Sequence, residues 1–552
     1  MYAIDKYKSW LDVPDEDLKA ELKAMSDSEI EECFGYDIEF GTGGLRGILG
    51  AGTNRMNIYT IRKATQGFAM YINDEGECAK SRGVVIAYDN RRKSKEFALA
   101  TAGVLAANGI KAYVFSSLRP TPELSFAVRY LKAFGGVVIT ASHNPTEYNG
   151  YKLYDENGCQ LVPRFTDRVI AYINSIESGR SVKCDSNSPL IEFIDNEIDE
   201  KYYDAVKTIA VNPDVKKDDL TIVYSPQHGA GNVPVHTVLK SCGYNVISVK
   251  EQCEPDEDFS NTKNPNPETP ESFEKAFVVA KENGADLILT TDPDCDRVGA
   301  AVLHNGDYLR ITGNQMGAVL LEYILSEKKA KGTLPENAIM INTIVTSDLG
   351  DVIAKAYGVD VEKTLTGFKF IGDRIDYHNN TDKKQFVFGY EESYGYLLGE
   401  FARDKDAVQA TLIISEAAAF YKAKGITLYD ALLAVYEKYG YFEDKLISVT
   451  KKGLDGAKEI QAVMKSLRKE PLTEIGGMKI VKTEDYTTDS KAAEHIPNAD
   501  VIKVFTENGS WAAIRPSGTE PKCKFYFSAR GKTREDAQAL LDKMTSDVEK
   551  LM

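Results

Sequence analysis

Short apolar runs alternate with helix-period segments through most of this 552-residue chain, and that alternation most narrows what it can fold into. After a helix at 14–25, strands are read at 83–89, 111–117 and 134–142, with helices at 94–108 and 122–132 between them. The cycle restarts with strands at 220–224, 245–249 and 285–292, helices at 233–241 and 270–283, and a polar loop at 255–270. A third cycle has helix 315–331, strand 338–345, helix 348–357, strands 359–365 and 385–389, then helices 407–424 and 428–439. Alternation of this kind is the mark of βαβ units and of sheets covered on both faces. Beyond that, hairpin-like strands at 501–505 and 511–515 around Glu507-Asn-Gly-Ser510 mix with helices, the last at 533–551. The expected class is α/β, with three similar α/β domains of mixed, largely parallel sheets and a C-terminal α+β domain. The expected borders are 1–205, 206–312, 313–440 and 441–552.

Lys and Arg total 67 against 83 Asp and Glu, a formal charge of −16. That surface repels nucleic acid and anionic membranes, and an anionic small substrate needs a recess where the sign is reversed. No apolar run approaches the roughly 20 residues that span a bilayer. The amino terminus carries no signal-peptide core, so a cytoplasmic location is expected. Eight cysteines form no CxxC pair, which argues against a zinc ribbon or disulfide framework and for reduced, mostly buried thiols. Nothing in the sequence sets an oligomeric state.

The chemistry-bearing residues gather where strands end, the place where ligands collect in open α/β sheets. Thr140-Ala-Ser-His-Asn-Pro145 stops one apolar strand with a serine in a stiff turn; Ser142 is a candidate nucleophile, and the segment also reads as a plain Ser-Asn-Pro turn. His143 abuts it, but no buried carboxylate is evident to complete a Ser-His-Asp triad. Asp292-Pro-Asp-Cys-Asp-Arg297 ends another strand. Asp292, Asp294 and Asp296, at alternate positions in a turn, can converge on a hard cation, and an all-oxygen set suits Mg²⁺. Cys295 takes no metal role. Phe388-Gly-Tyr-Glu-Glu-Ser-Tyr-Gly395 offers Glu391, Glu392 and Ser393 as partners for sugar hydroxyls. Arg515-Pro-Ser-Gly-Thr-Glu-Pro-Lys522 reads as an oxyanion cradle of guanidinium, hydroxyls and backbone N–H groups. Arg46, Lys152, Lys369 and Lys405 are further local positive groups, and His228 reads as a structural turn.

In their order along the chain, these four motifs resemble those of the α-D-phosphohexomutase superfamily, in its phosphoglucomutase branch. The resemblance implies four domains around a central cleft, each contributing one motif. It implies interconversion of α-D-glucose 1-phosphate and glucose 6-phosphate through phosphoserine at Ser142, with Mg²⁺ as cofactor and glucose 1,6-bisphosphate as intermediate and activator. Phosphomannomutase or phosphopentomutase activity by the same mechanism is the alternative. By the same resemblance, Asp292, Asp294 and Asp296 hold Mg²⁺ with an oxygen on Ser142. Lys152 is a general acid/base candidate whose proton is expected to loosen by desolvation near other cations. Arg46, Lys369 and His143 join the catalytic set. Arg297, Glu391, Ser393 and Lys405 contact the sugar phosphate, and Arg515, Ser517, Gly518 and Thr519 clamp the phosphate that is not transferred. Tyr390 stands directly before Glu391 where many members have glycine.

Overall fold

A strand covered on both faces has no use for polar alternation, and unbroken runs such as Val84-Val-Ile-Ala-Tyr88 form the inner strands of this fold. The computed structural model describes residues 2–41, 44–451, 453–488, 495–516 and 522–550. They divide into two compact units. One comprises 1–310, 372–382 and 394–420; the other comprises 311–371, 383–393 and 421–552.

The first unit holds two mixed sheets. In the first, β1 (Gly44–Ile48), β2 (Val84–Tyr88), β3 (Ala112–Phe115), β4 (Gly135–Ile139), β5 (Tyr148–Tyr154) and β6 (Ile191–Ile194) are ordered β1-β5-β4-β2-β3-β6. The run β4-β2-β3-β6 is parallel, whereas β5 lies antiparallel to both β4 and β1. One face is covered by helix Ile58–Asp74, which packs on helices Ser94–Ala107 and Pro163–Ser175. Its Ile61, Ala64, Phe68 and Ile72 share a core with Val84, Ile86, Val137 and Ile139. The other face meets helix Thr121–Tyr130. A Cβ added at Gly136 of β4 would lie 2.8 Å from a Val128 methyl and 2.9 Å from a Leu124 methyl, so glycine lets that helix sit close.

The second sheet runs β11-β10-β9-β7-β8, from β7 (Thr221–Ser225), β8 (Asn245–Ser248), β9 (Leu287–Thr291), β10 (Val298–His304) and β11 (Asp307–Ile311). β8, β7 and β9 are parallel, and β10 turns back antiparallel on β9 with Val298 opposite Thr291. The aspartate-rich stretch 292–297 is therefore a tight hairpin loop.

In the second unit β12 (Ala338–Thr343) lies between β13 (Asp360–Thr364) and β14 (Gln385–Glu391), parallel to both. The C-terminal sheet is antiparallel throughout and follows the order Tyr441–Thr450, Lys522–Gly531, Trp511–Pro516, Ile502–Thr506, Met478–Asp485, Glu474–Ile475. Helices Gly453–Lys469 and Arg534–Glu549 supply Ile460, Met464, Leu541 and Met544 to its apolar face.

Two expectations need correction. The strand read at 134–142 ends at Ile139, because the chain turns before the serine and Ser142 takes a left-handed φ of 50°. The thiols are less buried than expected: all eight are free, but only Cys33, Cys159, Cys295 and Cys523 are buried, and Cys78 is exposed. Among the described residues, no helix is long and apolar enough to cross a membrane.

Candidate active site

The three aspartates converge because the β9–β10 hairpin folds back on itself. Asp292 Oδ1 accepts the backbone N–H groups of Asp296 at 3.1 Å and Arg297 at 3.0 Å, and Cys295 adopts a φ of 52° between them. One carboxylate oxygen from each aspartate lies within 4.8 Å of the other two, and all three residues are buried. Cys295, between Asp294 and Asp296 in sequence, is buried. The Oδ1 atoms of Asp294 and Asp296 are buried with no hydrogen-bond partner. Three converging carboxylates with orphaned oxygens are costly in a protein interior unless a cation meets them. The donor set fits Mg²⁺.

Ser142 stands at that cluster. Its hydroxyl donates to Asp292 Oδ2 at 2.6 Å, and Nδ1 of His143 lies 3.2 Å from the Ser142 Oγ atom. The Ser142 N–H donates to Thr140 Oγ1 at 2.8 Å, which helps to hold the left-handed backbone. Lys152 projects from β5 and donates to Asp294 Oδ2 at 2.8 Å, with Asp296 Oδ2 at 3.5 Å. Lys405 pairs with Asp296 and with Asp404, each at 3.0 Å, and Asp404 accepts the Tyr154 hydroxyl at 2.8 Å. Arg46, exposed on β1, donates to Asn144 Oδ1 at 3.0 Å. Arg297 pairs with Glu268 at 2.6 Å. Thus Ser142, His143, Arg46, Lys152, Lys405, Arg297 and the three aspartates, up to 359 positions apart, meet in the first unit. His228 is buried in a turn with φ 65°, its Nδ1 2.7 Å from the Glu254 carbonyl, as a structural residue should be.

The charges in this cluster are interlocked. Burial, then Asp294 and Asp296, push the Asp292 carboxyl well above the usual carboxylate range. Burial would raise Asp296 too, but Lys405, Lys152 and Arg297 outweigh it and hold it low. Burial alone would release the Lys152 proton, yet Asp294 and Asp296 beside it hold the ammonium above its ordinary value. Lysine desolvated among cations was the expectation; its immediate neighbours are carboxylates.

The second unit carries the remaining candidates. Glu391, buried at the end of β14, accepts the Gly367 N–H at 2.8 Å. Glu392 Oε2 lies 3.4 Å from Thr343 Oγ1 and 3.2 Å from Thr346 Oγ1, and Ser393 is half-buried next to it. Lys369, buried in the first turn of helix Phe368–Asn380, lies 5.1 Å from the Phe370 ring centre. Arg515, on strand Trp511–Pro516, shares the surroundings of Tyr526 with the same glutamates: burial, then Glu392 and Glu391, push that phenol up while Arg515 opposes them. Ser517, Gly518 and Thr519 lie outside the described residues. Tyr390 points the other way from Glu391, as neighbours on a strand must. It is fully buried, its ring against Gly317 and its hydroxyl against Gly350, where a Cβ would lie 2.4 Å and 2.2 Å away.

Thr121, Glu268 and Asp404 were not found from sequence. Thr121 donates to Asp294 through both Oγ1 and N–H, each at 2.9 Å. Its one sequence signal is its place before Pro122 at the start of a helix.

The comparisons with known proteins agree with this layout. Models of the phosphoglucomutase/phosphomannomutase family match all along the chain: α/β/α domain I at 37–180, domain II at 200–306, domain III at 312–439 and the C-terminal domain at 448–545. A phosphoglucomutase of Staphylococcus haemolyticus is 37% identical over 94% of this chain and 95% of its own length. A phosphoglucomutase/phosphomannomutase family protein from Burkholderia thailandensis, of known structure, is 16% identical over 93% of this chain and 97% of its own, with a TM-score of 0.68. The structure of Aspergillus fumigatus N-acetylphosphoglucosamine mutase in complex with GlcNAc-6P and magnesium covers 94% of this chain and 96% of its own, at 14% identity and a TM-score of 0.52. The chain belongs to the phosphoglucomutase/phosphomannomutase family, within the α-D-phosphohexomutase superfamily. It is an enzyme, an isomerase that works by phosphoryl transfer.

Proposed function

We propose that this enzyme interconverts α-D-glucose 1-phosphate and glucose 6-phosphate through phosphoserine at Ser142, with glucose 1,6-bisphosphate as the intermediate and Mg²⁺ as cofactor. The observation that carries the reading is the Ser142 hydroxyl 2.6 Å from Asp292, inside the three-aspartate cluster. Asp292, Asp294 and Asp296 would hold Mg²⁺, which when bound withdraws charge from the phosphoryl oxygens.

In the forward direction the Ser142 Oγ–P bond breaks and a P–O6 bond forms on glucose 1-phosphate, while the O6 proton passes to a protein base and Ser142 Oγ takes up a proton. The resulting bisphosphate turns end for end. Its O1–P bond then breaks as P rejoins Ser142 Oγ, the Oγ proton passing to a protein base and O1 taking up a proton, which leaves glucose 6-phosphate. Little covalent help is required beyond placement and charge neutralisation. Lys152, beside Asp294 and Asp296, is assigned to proton exchange with the oxygens that attack and leave. Arg46, which donates to the loop of Ser142, and Lys369 are assigned to neutralising the phosphoryl in flight; His143 orients the hydroxyl. Glu391 and Ser393 are assigned to the sugar hydroxyls. Arg297, Lys405, Arg515, Ser517, Gly518 and Thr519 are assigned to substrate binding, the last four as the clamp on the idle phosphate. The acidic surface and the anionic substrate are reconciled by these local cations.

The test pairs Ser142→Ala with a panel of glucose, mannose and ribose 1-phosphates. The expected results are loss of turnover in the variant to below about a thousandth, the scale on which loss of a nucleophile acts, and the highest kcat/KM for glucose 1-phosphate. Undiminished turnover in the variant would refute the phosphoserine, and preference for mannose or ribose would reassign the substrate.

A further inference from the structure

Arg91 belongs to none of the four motifs, yet its side chain is wholly buried and its donors converge on the loop of Ser142. It lies just past β2, in Asp89-Asn-Arg-Arg92. Nη1 donates to the carbonyls of Pro145 at 2.7 Å and Tyr148 at 3.0 Å; Nη2 donates to the carbonyl of Ser142 at 2.6 Å and to that of Asn144. One planar group thus fixes four carbonyls along a seven-residue stretch. Asp89, also fully buried, stands 3.4 Å from Arg91 Nε as its counter-charge. The Asp89 Oδ1 atom accepts the Arg91 N–H at 3.0 Å and the Ser94 hydroxyl at 2.7 Å. Asn149, at the far end of the loop, donates to the Ser94 hydroxyl at 3.0 Å and the Arg92 carbonyl at 2.9 Å. The Phe259 ring lies 5.2 Å from the guanidinium and closes it off.

We propose that Arg91, with Asp89 as its counter-ion, is the positioning residue for the phosphoryl-carrying loop. The proposal rests on the assignment of Ser142 as the carrier. A left-handed, non-glycine backbone at Ser142 is strained and persists only when its surroundings over-determine it. Arg91 supplies that constraint from the carbonyl side, while Asp292 holds the hydroxyl. A phosphorylated serine gains close to two negative charges, and its oxygen must nevertheless stay in line with the acceptor. A lysine offers one compact ammonium where four carbonyls need a planar fork, so it cannot replace the arginine.

The test uses the full chain with Mg²⁺ and compares Arg91→Lys, Arg91→Met and Asp89→Asn with the native enzyme. Measured quantities are the single-turnover rate of phosphoryl transfer from glucose 1,6-bisphosphate to Ser142, kcat and KM for glucose 1-phosphate, and hydrogen exchange at 142–149. Both Arg91 variants should lose about a hundredfold or more in transfer rate and kcat, the scale of a 1 Å misplacement, with KM within about threefold. Exchange at 142–149 should accelerate ahead of the rest of the chain. Should neither Arg91 variant fold, Asp89→Asn, which keeps the guanidinium, is expected to show the same faster exchange and a smaller loss in kcat. Native transfer rates in Arg91→Lys or Arg91→Met, a loss confined to KM, or unchanged exchange in Asp89→Asn would overturn the proposal. Native turnover with no phosphoryl group on Ser142 would overturn the carrier assignment instead, and the exchange measurement keeps the two failures apart.

Discussion

Individual side chains here are read through the company they keep. Asp294 and Asp296 each leave one oxygen without a hydrogen bond in the interior, while Lys152 and Lys405 take the other. Asp294→Asn or Asp296→Asn should therefore raise the Mg²⁺ concentration for half-maximal activity by at least about tenfold, as loss of a group at a metal site does; titration of activity against Mg²⁺ measures it. Asp155 poses a different question. It is half-buried, accepts the N–H groups of Asn157 at 2.9 Å and Cys159 at 3.0 Å, and desolvation pushes its carboxyl up to about 6. The folded protein thus holds this proton more tightly than the unfolded chain. Its contribution to stability is complete below the ordinary carboxylate value of about 4 and is lost as pH rises through 6, a swing of no more than about 3 kcal/mol. Asp155→Asn, which retains an accepting oxygen, should melt above the native protein near pH 8, with the gap closing toward pH 4. Thermal melts across that range check the sign.

At the scale of elements, termini decide more than interiors. Helix Ile58–Asp74 begins at Asn57, whose side chain accepts from the N–H groups of Tyr59 and Thr60 and donates to the carbonyls of Gly50 and Gly52. Asn57→Ala should cost about 2 kcal/mol, the upper end for a helix cap, because the donated bonds are lost as well; urea denaturation measures it. Sequence alone did not reveal that helix. Its buried residues Ile61, Ala64, Phe68 and Ile72 do carry the helical period, but Ile, Tyr, Thr and Gly67 weaken the local preference for a helix. Helix Phe368–Asn380 was missed for a similar reason, since Ile371 and Ile375 are its only fully buried aliphatic residues. By contrast β2, β9 and β12 were legible, because each is a short apolar run with no other way to hide. The turns that follow β9 and β14 were legible as candidate sites because they end such runs. What could not be read is which turn meets which: Lys405 reaches Asp296, and Thr121 reaches Asp294, through tertiary packing that no local pattern encodes.

For the whole molecule, the division into two units does not follow the chain. The backbone passes from one unit to the other after residues 310, 371, 382, 393 and 420. Fragment 441–552 contains its six-stranded sheet and the apolar cluster beneath its two helices, while Trp511, Ala513 and Tyr526 share a second cluster with Ile344, Val345 and Leu365; it should fold alone with a cooperative melt, but at a lower temperature than the full chain. The central claim is that Ser142 carries the phosphoryl group beside the three aspartates. The most direct measurement is peptide mapping by mass spectrometry after the enzyme is mixed with Mg²⁺ and glucose 1,6-bisphosphate and quenched within one turnover. The account predicts one phosphoryl group, on the peptide containing Ser142, formed and discharged at the rate of turnover. A phosphoryl group on any other residue, or native turnover with none on Ser142, would contradict it.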